Sequence, residues 1–103
     1  MNIGNELNFN PGKVGVLTVQ KDANGHVFAV GLLRGQILSK HKTAVPALLT
    51  VLEGSIVFRM NDSNSVLNRL DTFSIPVDIE HEVIGTDERN IFLIVKSSLN
   101  ANH

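Results

Sequence analysis

The stretch from Gly35 to Gly54, GQILSKHKTAVPALLTVLEG, carries most of the structural information in this chain. It is interpreted as extended chain, in which successive side chains point to opposite faces. Lys40 and Lys42 share one face and prefer water, so the opposite face is expected to line an interior. That inner face carries Ile37, Ser39, His41 and Thr43, and it continues with Ala47, Leu49 and Val51 if the alternation persists through Val45-Pro46.

A second stretch, LDTFSIPVDIEHEV from Leu70 to Val83, is the expected partner of the first. Glu80 and Glu82 flank His81, and their preference for water turns His81 and Val83 inward. His41 and His81 are therefore predicted to face one cavity. An imidazole on an apolar face needs a hydrogen-bond partner or a metal ion, so this pair is the candidate site.

The other segments are short, apolar and rich in β-branched residues, with turn residues between them. Asn24-Gly25 predicts a hairpin because both residues tolerate positive φ. No segment has apolar residues at a sustained 3.6-residue period. This pattern predicts an all-β sandwich or barrel of one domain. We expect a loosely docked N-terminal arm over residues 1–12, the barrel over 13–97 and a frayed tail over 98–103.

The composition excludes several classes of function. The 103 residues carry a net charge of -1 and no basic run, so nucleic acid is not an expected partner. The chain has no cysteine, which excludes thiol catalysis, cysteine metal sites and disulfides. It shows neither a signal-peptide pattern nor an apolar run of the roughly 20 residues that cross a bilayer. We therefore expect a cytoplasmic protein without a membrane partner.

Two of the predicted strands are apolar on both faces. Neither set of alternating positions is polar from Val27 to Leu33 or from Ile91 to Val95. The outer face of a barrel strand is polar where it meets water, so these outer faces need a cover. The cover is either loops draped over two packed sheets or a second copy of the chain. The second alternative, a homodimer, is the preferred prediction.

The first histidine segment resembles the first of two motifs that define the cupin superfamily. That motif reads G-x5-H-x-H-x3-E-x6-G, and it is matched here at Gly35, His41 and Gly54. Thr43 and Ala47 stand where the family has its second histidine and its glutamate.

The second segment resembles the second cupin motif, G-x5-P-x-G-x2-H-x3-N, which is matched at Pro76 and His81. Leu70, Asp78 and Gly85 replace its two glycines and its asparagine. The resemblance implies a small single-domain cupin, that is, a double-stranded β-helix or jelly-roll barrel.

The departures from the motifs bear on function. The family's metal is usually held by three histidines and a glutamate, and only His41 and His81 remain of that set. The resemblance implies a divalent transition metal (Zn, Ni, Mn or Fe), held more loosely than by a full ligand set. Non-haem iron also uses a carboxylate, and Ala47 removes the expected one. The alternative is that both histidines are barrel residues hydrogen-bonded to side chains, backbone or water.

Three functions are compatible with the sequence. Two of them are alternatives to the preferred one: a metal-dependent enzyme of the dioxygenase, isomerase or decarboxylase type, and a ligand-free scaffold or regulatory barrel. His26 and His103 are expected to be solvated. The preferred function is a small protein that binds a divalent metal or small ligand through His41 and His81, in a pocket formed by Ile37, Ser39, Thr43, Ala47, Leu49, Val51 and Val83.

Overall fold

Nine strands make up most of residues 1–97, the part of the chain that this computed structural model describes. The tail predicted over 98–103 lies outside the described residues. One short helix, α1 (Ile3–Glu6), precedes the strands. The strands are β1 (Gly15–Asp22), β2 (Gly25–Leu33), β3 (Ile37–His41), β4 (Ala47–Glu53), β5 (Ser55–Met60), β6 (Ser63–Asn68), β7 (Thr72–Ile75), β8 (His81–Gly85) and β9 (Arg89–Ser97).

The strands form two sheets that pack face to face. The first sheet has the order β1-β2-β9-β4-β7 and the second has the order β3-β8-β5-β6. The consecutive strands β4 and β5 belong to different sheets, so the chain winds around a shared interior. The predicted all-β fold is confirmed. Strand β6 begins in a polar stretch, because the residues of an exposed edge strand need not be apolar.

The interior is filled by alternating residues of both sheets. The core side chains are between 0 and 7% exposed, and each buried Leu, Val, Ile or Phe contributes about 1.5–3 kcal/mol. The first sheet supplies Val30, Leu32, Leu49, Val51 and Phe92, and the second supplies Ile56, Phe58, Leu67 and Val83.

Four positions of the two glycine-containing motifs have left-handed backbone. Gly35 and Gly54 have φ of 81° and 74°, as expected for glycine. Leu70 and Asp78, which replace motif glycines, have φ of 75° and 59°. The positive φ of the motif positions is therefore kept although glycine, the residue that favours it, is replaced. As a result Leu70, which is 65% exposed in the turn before β7, has a strained backbone.

The N-terminal arm packs on the outer face of the first sheet. Leu7 is 6% exposed and forms a second apolar cluster with Ala29 and Ile91. The Phe9 ring lies over Gly31, where an added Cβ would come within 2.9 Å of it. The arm thus covers part of the apolar outer face that was expected from the sequence to need a cover.

Hydrogen bonds also hold the arm. Gln36 Nε2 donates to the Asn10 carbonyl at 2.7 Å, and Arg89 Nη2 donates to the Gly4 carbonyl at 3.0 Å. The Arg89 guanidinium lies 4.5 Å from the centre of the Phe9 ring. The expectation of a loosely docked arm was wrong, because Leu7 and Phe9 find apolar positions on β2 and β9 to pack against.

One end of the barrel is closed around the side chain of Asn90, which is fully buried. Its Nδ2 donates to the carbonyls of Leu32 and Asp87, at 3.0 and 2.9 Å. Its Oδ1 accepts from the backbone N–H groups of Ser55 and Asp87, both at 3.0 Å. Asn90 thereby ties β2, β5 and the turn before β9 together. Within residues 1–97, the only helix is far too short and too polar to cross a bilayer.

Candidate functional site

A small cavity lies between the sheets at the opposite end of β9 from Asn90. Its volume is about 20 Å³, which is room for one water molecule or a metal ion. Its wall is apolar except for Thr43, His41, His81 and Lys96. The apolar part is formed by Phe28, Leu38, Ala47, Leu49, Phe58, Ile75, Val83, Phe92 and Ile94.

His41 and His81 meet at this cavity because the strands that carry them are neighbours. His41 is the last residue of β3, His81 is the first of β8, and the two are paired across these strands. Their ring centroids are 4.4 Å apart and the ring planes are inclined by 62°. The structure therefore brings together the two imidazoles that the alternation pattern turned inward.

Each imidazole uses one nitrogen to bond the backbone two residues before it. His41 Nδ1 lies 2.9 Å from the Ser39 carbonyl, and His81 Nδ1 lies 3.1 Å from the Ile79 carbonyl. A carbonyl oxygen only accepts, so Nδ1 carries the proton and Nε2 of the neutral ring keeps its lone pair. Neither Nε2 donates to or accepts from any residue of the described chain.

The two rings differ in exposure. His41 is exposed, whereas His81 is 4% exposed and stacks on Phe58 with ring centroids 5.1 Å apart. Burial lowers the pKa of His81, and the nearby positive charges of His41 and Lys96 lower it further, against the opposing effect of the Ile79 carbonyl. His81 is therefore neutral at neutral pH, the form in which imidazole is a ligand.

Comparison with known proteins identifies the fold. No model of a protein family matches the sequence, and no curated protein matches it. An uncharacterised protein with a double-stranded β-helix domain from Klebsiella pneumoniae is similar in structure, with a TM-score of 0.87 and 18% identity over 99% of this chain and 91% of that one. A cupin superfamily protein from Desulfitobacterium hafniense aligns with a TM-score of 0.76 and 18% identity, over 82% of this chain and 77% of that one.

A third structure agrees with these two. An RmlC-like cupin from Desulfovibrio desulfuricans aligns with a TM-score of 0.81 and 18% identity, over 93% of each chain. The chain has the cupin fold. The double-stranded β-helix predicted from the motif resemblance is confirmed, and at these identities the likeness concerns the fold alone.

The wall of this cupin barrel follows the predicted face in β4 and β8. Thr43, Ala47, Leu49 and Val83 line the cavity beside the two histidines. Val51 is fully buried in the core but lies outside the cavity lining. The alternation therefore continues through Val45-Pro46, as considered from the sequence.

The predicted face is wrong in the first part of β3. Ile37 is 47% exposed and Ser39 is exposed, while Leu38 lines the cavity in their place. The pairing of β3 with β8 shifts between Leu38 and His41, which is an irregularity that resets the alternation. His41 thus reaches the cavity although the residues two and four positions before it do not.

Thr43 and Ala47, at two ligand positions of the first cupin motif, offer neither an imidazole nor a carboxylate to the cavity. The Thr43 hydroxyl donates to the Val45 carbonyl at 2.9 Å, and Ala47 has no polar atom in its side chain. Within residues 1–97 no group of three or more His, Cys, Asp or Glu side chains is placed to hold an ion.

The two histidines themselves fit an ion. Imidazoles that share one ion through Nε2 bonds of about 2.1 Å place their ring centroids roughly 4.6–5.3 Å apart. The observed distance of 4.4 Å is slightly shorter, so a small rotation of the exposed His41 ring gives that spacing. Metal-ligating histidines usually donate their other ring N–H to a carbonyl or carboxylate, which fixes the ring and its tautomer. Both rings have this second partner, so the pair would supply two ligands to a bound ion.

Two residues near the cavity were missed in the sequence. Lys96 lines the cavity but is not part of the predicted site, although it shares a face of β9 with Phe92 and Ile94 by alternation. His26 was expected to be solvated, but its Nε2 is buried and has no hydrogen-bond partner in the described residues. The pKa of His26 is lowered by burial and by the charges of Lys21 and Lys96.

Proposed function

We propose that this chain is a small metal-binding cupin barrel that holds one divalent transition-metal ion through Nε2 of His41 and His81. The observation that supports this most is the pair of Nδ1 bonds to backbone carbonyls. These bonds leave both Nε2 lone pairs available in rings whose centroids are 4.4 Å apart. Imidazole ligands favour Zn²⁺ or Ni²⁺ over Mn²⁺ or Mg²⁺.

The size of the cavity favours an ion over an enclosed organic ligand. Pockets that enclose small molecules have volumes of about 300–1,000 Å³, whereas this cavity has about 20 Å³. Phe28, Phe58 and Phe92 occupy the space that a larger ligand would need. An organic molecule can therefore meet the ion only from the mouth of the barrel.

Binding is proposed ahead of catalysis for a chemical reason. When bound, the ion would supply a Lewis acid with open coordination positions. Apart from the two histidines and Lys96, no titratable side chain lines the cavity among the described residues. The enzymatic and scaffold functions are therefore kept as alternatives to binding.

Metal analysis of the untagged protein, after dialysis against Zn²⁺ or Ni²⁺, tests the proposal. We expect about one ion per chain in the wild type and at least a tenfold loss of affinity in His41→Ala and in His81→Gln, because each removes one of two imidazole ligands. His26→Gln is the matched control and should retain the ion. Circular dichroism checks that each variant is folded, and retention of the ion in the His41→Ala/His81→Gln double variant would refute the site.

We further propose that a second copy of the chain covers the apolar part of the first sheet that the arm leaves open. Val27, Val95 and Leu48 are in register across β2, β9 and β4, and Val95 and Leu48 are 38% and 41% exposed. A single row of this kind suits a self-complementary contact between two copies. Light scattering at micromolar concentration should give the mass of a dimer, and Val95→Lys should give that of a monomer. A wild-type monomer would refute this assembly.

A further inference from the structure

The charged groups at the cavity are all basic. Among its lining residues His41, His81 and Lys96 are the only ionisable side chains, and no Asp or Glu is present. Lys96 makes no salt bridge with any residue in 1–97, whose ion pairs are Arg59–Glu82 and Arg89–Glu53. A site for a cation usually contains carboxylates, so a cavity lined by an ammonium and two imidazoles without any acid needs an explanation.

Lys96 is held at the cavity by its position in the sheet. It is paired with Ala47 on one side and with His26 on the other, and Ala47 also lines the cavity. The half-buried Lys96 places its ammonium 5.5 Å from the centre of the Phe28 ring, another cavity residue. The ammonium therefore lies against the wall of the cavity, on the same face of the sheet as Ala47.

The positive row continues away from the cavity. His26 is paired with Lys21 on β1, so Lys21, His26 and Lys96 lie side by side across three strands. Asp22 lies beside this row, near His26 and Lys96, and accepts from Gln20 Nε2 at 3.1 Å and from the Asn24 N–H at 2.8 Å. The carboxylate of Asp22 is thus bound by its own turn. On this side of the cavity the ammonium groups of Lys21 and Lys96 attract anions. Glu80 and Glu82 lie beside His81 on the other side, where Glu82 is paired with Arg59.

A divalent ion and an ammonium at one cavity repel each other unless an anion lies between them. Two imidazoles also leave most coordination positions of the ion without a protein ligand. A carboxylate satisfies both needs, because one oxygen can bind the ion and the other can accept from the ammonium. It replaces the carboxylate ligand that Ala47 cannot provide.

We propose that Lys96 holds the carboxylate of a small organic acid at the mouth of the cavity, where that carboxylate completes the ligand set of the ion bound by His41 and His81. This inference rests on the proposed metal site. The cavity has room for the ion alone, so the carboxylate stays at the mouth and the body of the acid remains outside the barrel.

Co²⁺ titrations followed by visible absorption test the inference, with the full chain in a non-coordinating buffer. Each titration is run in sodium acetate and in sodium chloride at equal ionic strength. Acetate should tighten the apparent Co²⁺ affinity of the wild type about five- to tenfold and change the absorption of the bound ion. Lys96→Met should bind Co²⁺ in chloride but lose the gain in acetate, whereas Lys96→Arg should keep most of it.

Lys13→Met is the matched control, because Lys13 is exposed in the turn before β1. It removes the same charge and should keep the full gain in acetate. An equal gain in Lys96→Met and wild type, or no gain in the wild type, overturns the role of Lys96 while leaving the metal site standing. If the wild type binds no Co²⁺ in either salt, the metal site and this inference are both wrong.

Discussion

The two ends of the barrel differ in how completely their polar side chains are paired. At one end the Asn90 amide is fully buried and makes four hydrogen bonds, two as donor and two as acceptor. At the other end His41 and His81 each bond the backbone through Nδ1, and neither Nε2 has a partner in the described residues. Buried polar atoms are almost always paired, so Asn90 acts in folding. Nε2 of His41 and of His81 is not among the buried unpaired atoms of the described residues, so both atoms are open to water or a ligand.

The backbone around each end is shaped for its task. Gly54 and Gly85 lie so close to Asn90 that a Cβ on either would clash with its amide. At the histidine end, the shift in pairing between Leu38 and His41 turns His41 toward His81. The Asn90 end thus depends on two glycines without a Cβ, and the histidine end depends on an irregularity in the pairing of β3.

Substitution of Asn90 should have the largest effect. Asn90→Ala leaves the Leu32 and Asp87 carbonyls and the Ser55 and Asp87 N–H groups without partners in a buried place. We expect the free energy of unfolding to fall by about 3–5 kcal/mol, measured by urea denaturation.

Asn68→Ala is the control for this prediction, because Asn68 is exposed on β6 and its change should stay within about 0.5 kcal/mol. Asn90→Asp keeps the size of the side chain and the oxygen that accepts from Ser55 and Asp87, but it loses the N–H donors to Leu32 and Asp87. A smaller loss of stability in Asn90→Asp than in Asn90→Ala would show that the accepted hydrogen bonds dominate. A loss below 1 kcal/mol in Asn90→Ala would show that this end is not organised by the amide.

Substitution of two glycines should have the next largest effect on stability. Gly35 and Gly54 have similar φ, 81° and 74°, but different surroundings. An added Cβ meets no atom within 4 Å at Gly35, whereas at Gly54 it meets Asn90 Oδ1 and the Arg89 carbonyl. Gly35→Ala should cost about 1 kcal/mol for the left-handed backbone alone, and Gly54→Ala about 2–4 kcal/mol because the clash adds to it.

Thermal denaturation of the two alanine variants measures this difference directly. Since the backbone cost is shared, the excess in Gly54→Ala reports the contacts with Asn90 and the Arg89 carbonyl together. Equal losses of stability in the two variants would mean that the barrel end around Asn90 accommodates the added methyl group without a further loss of stability.

The sequence predicted the fold and the meeting of the two histidines because local charges set the alternation there. Lysines flank His41 and glutamates flank His81, so both inner faces could be assigned. The residue types around Leu38 give no sign of the irregularity in strand pairing there. Ile37 and Ser39 were therefore assigned to the inner face, although they are exposed. The motif glycines replaced by Leu70 and Asp78 kept their positive φ, so the spacing of the motifs was a better guide to the turns than the residues in them.

Other features depend on packing between distant segments and could not be derived from local pattern. Asn90 follows a polar turn and precedes an apolar strand, so it was grouped with the strand without a role of its own. Leu7 and Phe9 are too few to predict a docked arm, because the docking depends on a space above Gly31 that only the folded sheet provides. The volume of the cavity likewise depends on the rings of Phe28, Phe58 and Phe92 together.

The smallest predicted effect has the opposite sign and lies at the histidine end. His26 Nε2 is buried without a partner in the described residues, and the His26 ring lies 4.7 Å from that of Phe28. His26→Phe removes this unpaired atom and keeps an aromatic ring there. We expect the free energy of unfolding of the metal-free protein to rise by about 0.5–1 kcal/mol at pH 7.5.

This gain should depend on pH. The pKa of His26 is lowered in the folded protein by burial, and further by Lys21 and Lys96, so the unfolded chain binds the proton more readily. Stability from neutral His26 is complete above its unfolded pKa, near 6.5, and is lost as the pH falls through the lower folded value. The advantage of His26→Phe should therefore widen between pH 7.5 and pH 5 in urea denaturation with EDTA. His81 titrates in both proteins and cancels in the difference, so a constant or shrinking advantage would show that His26 is solvated after all.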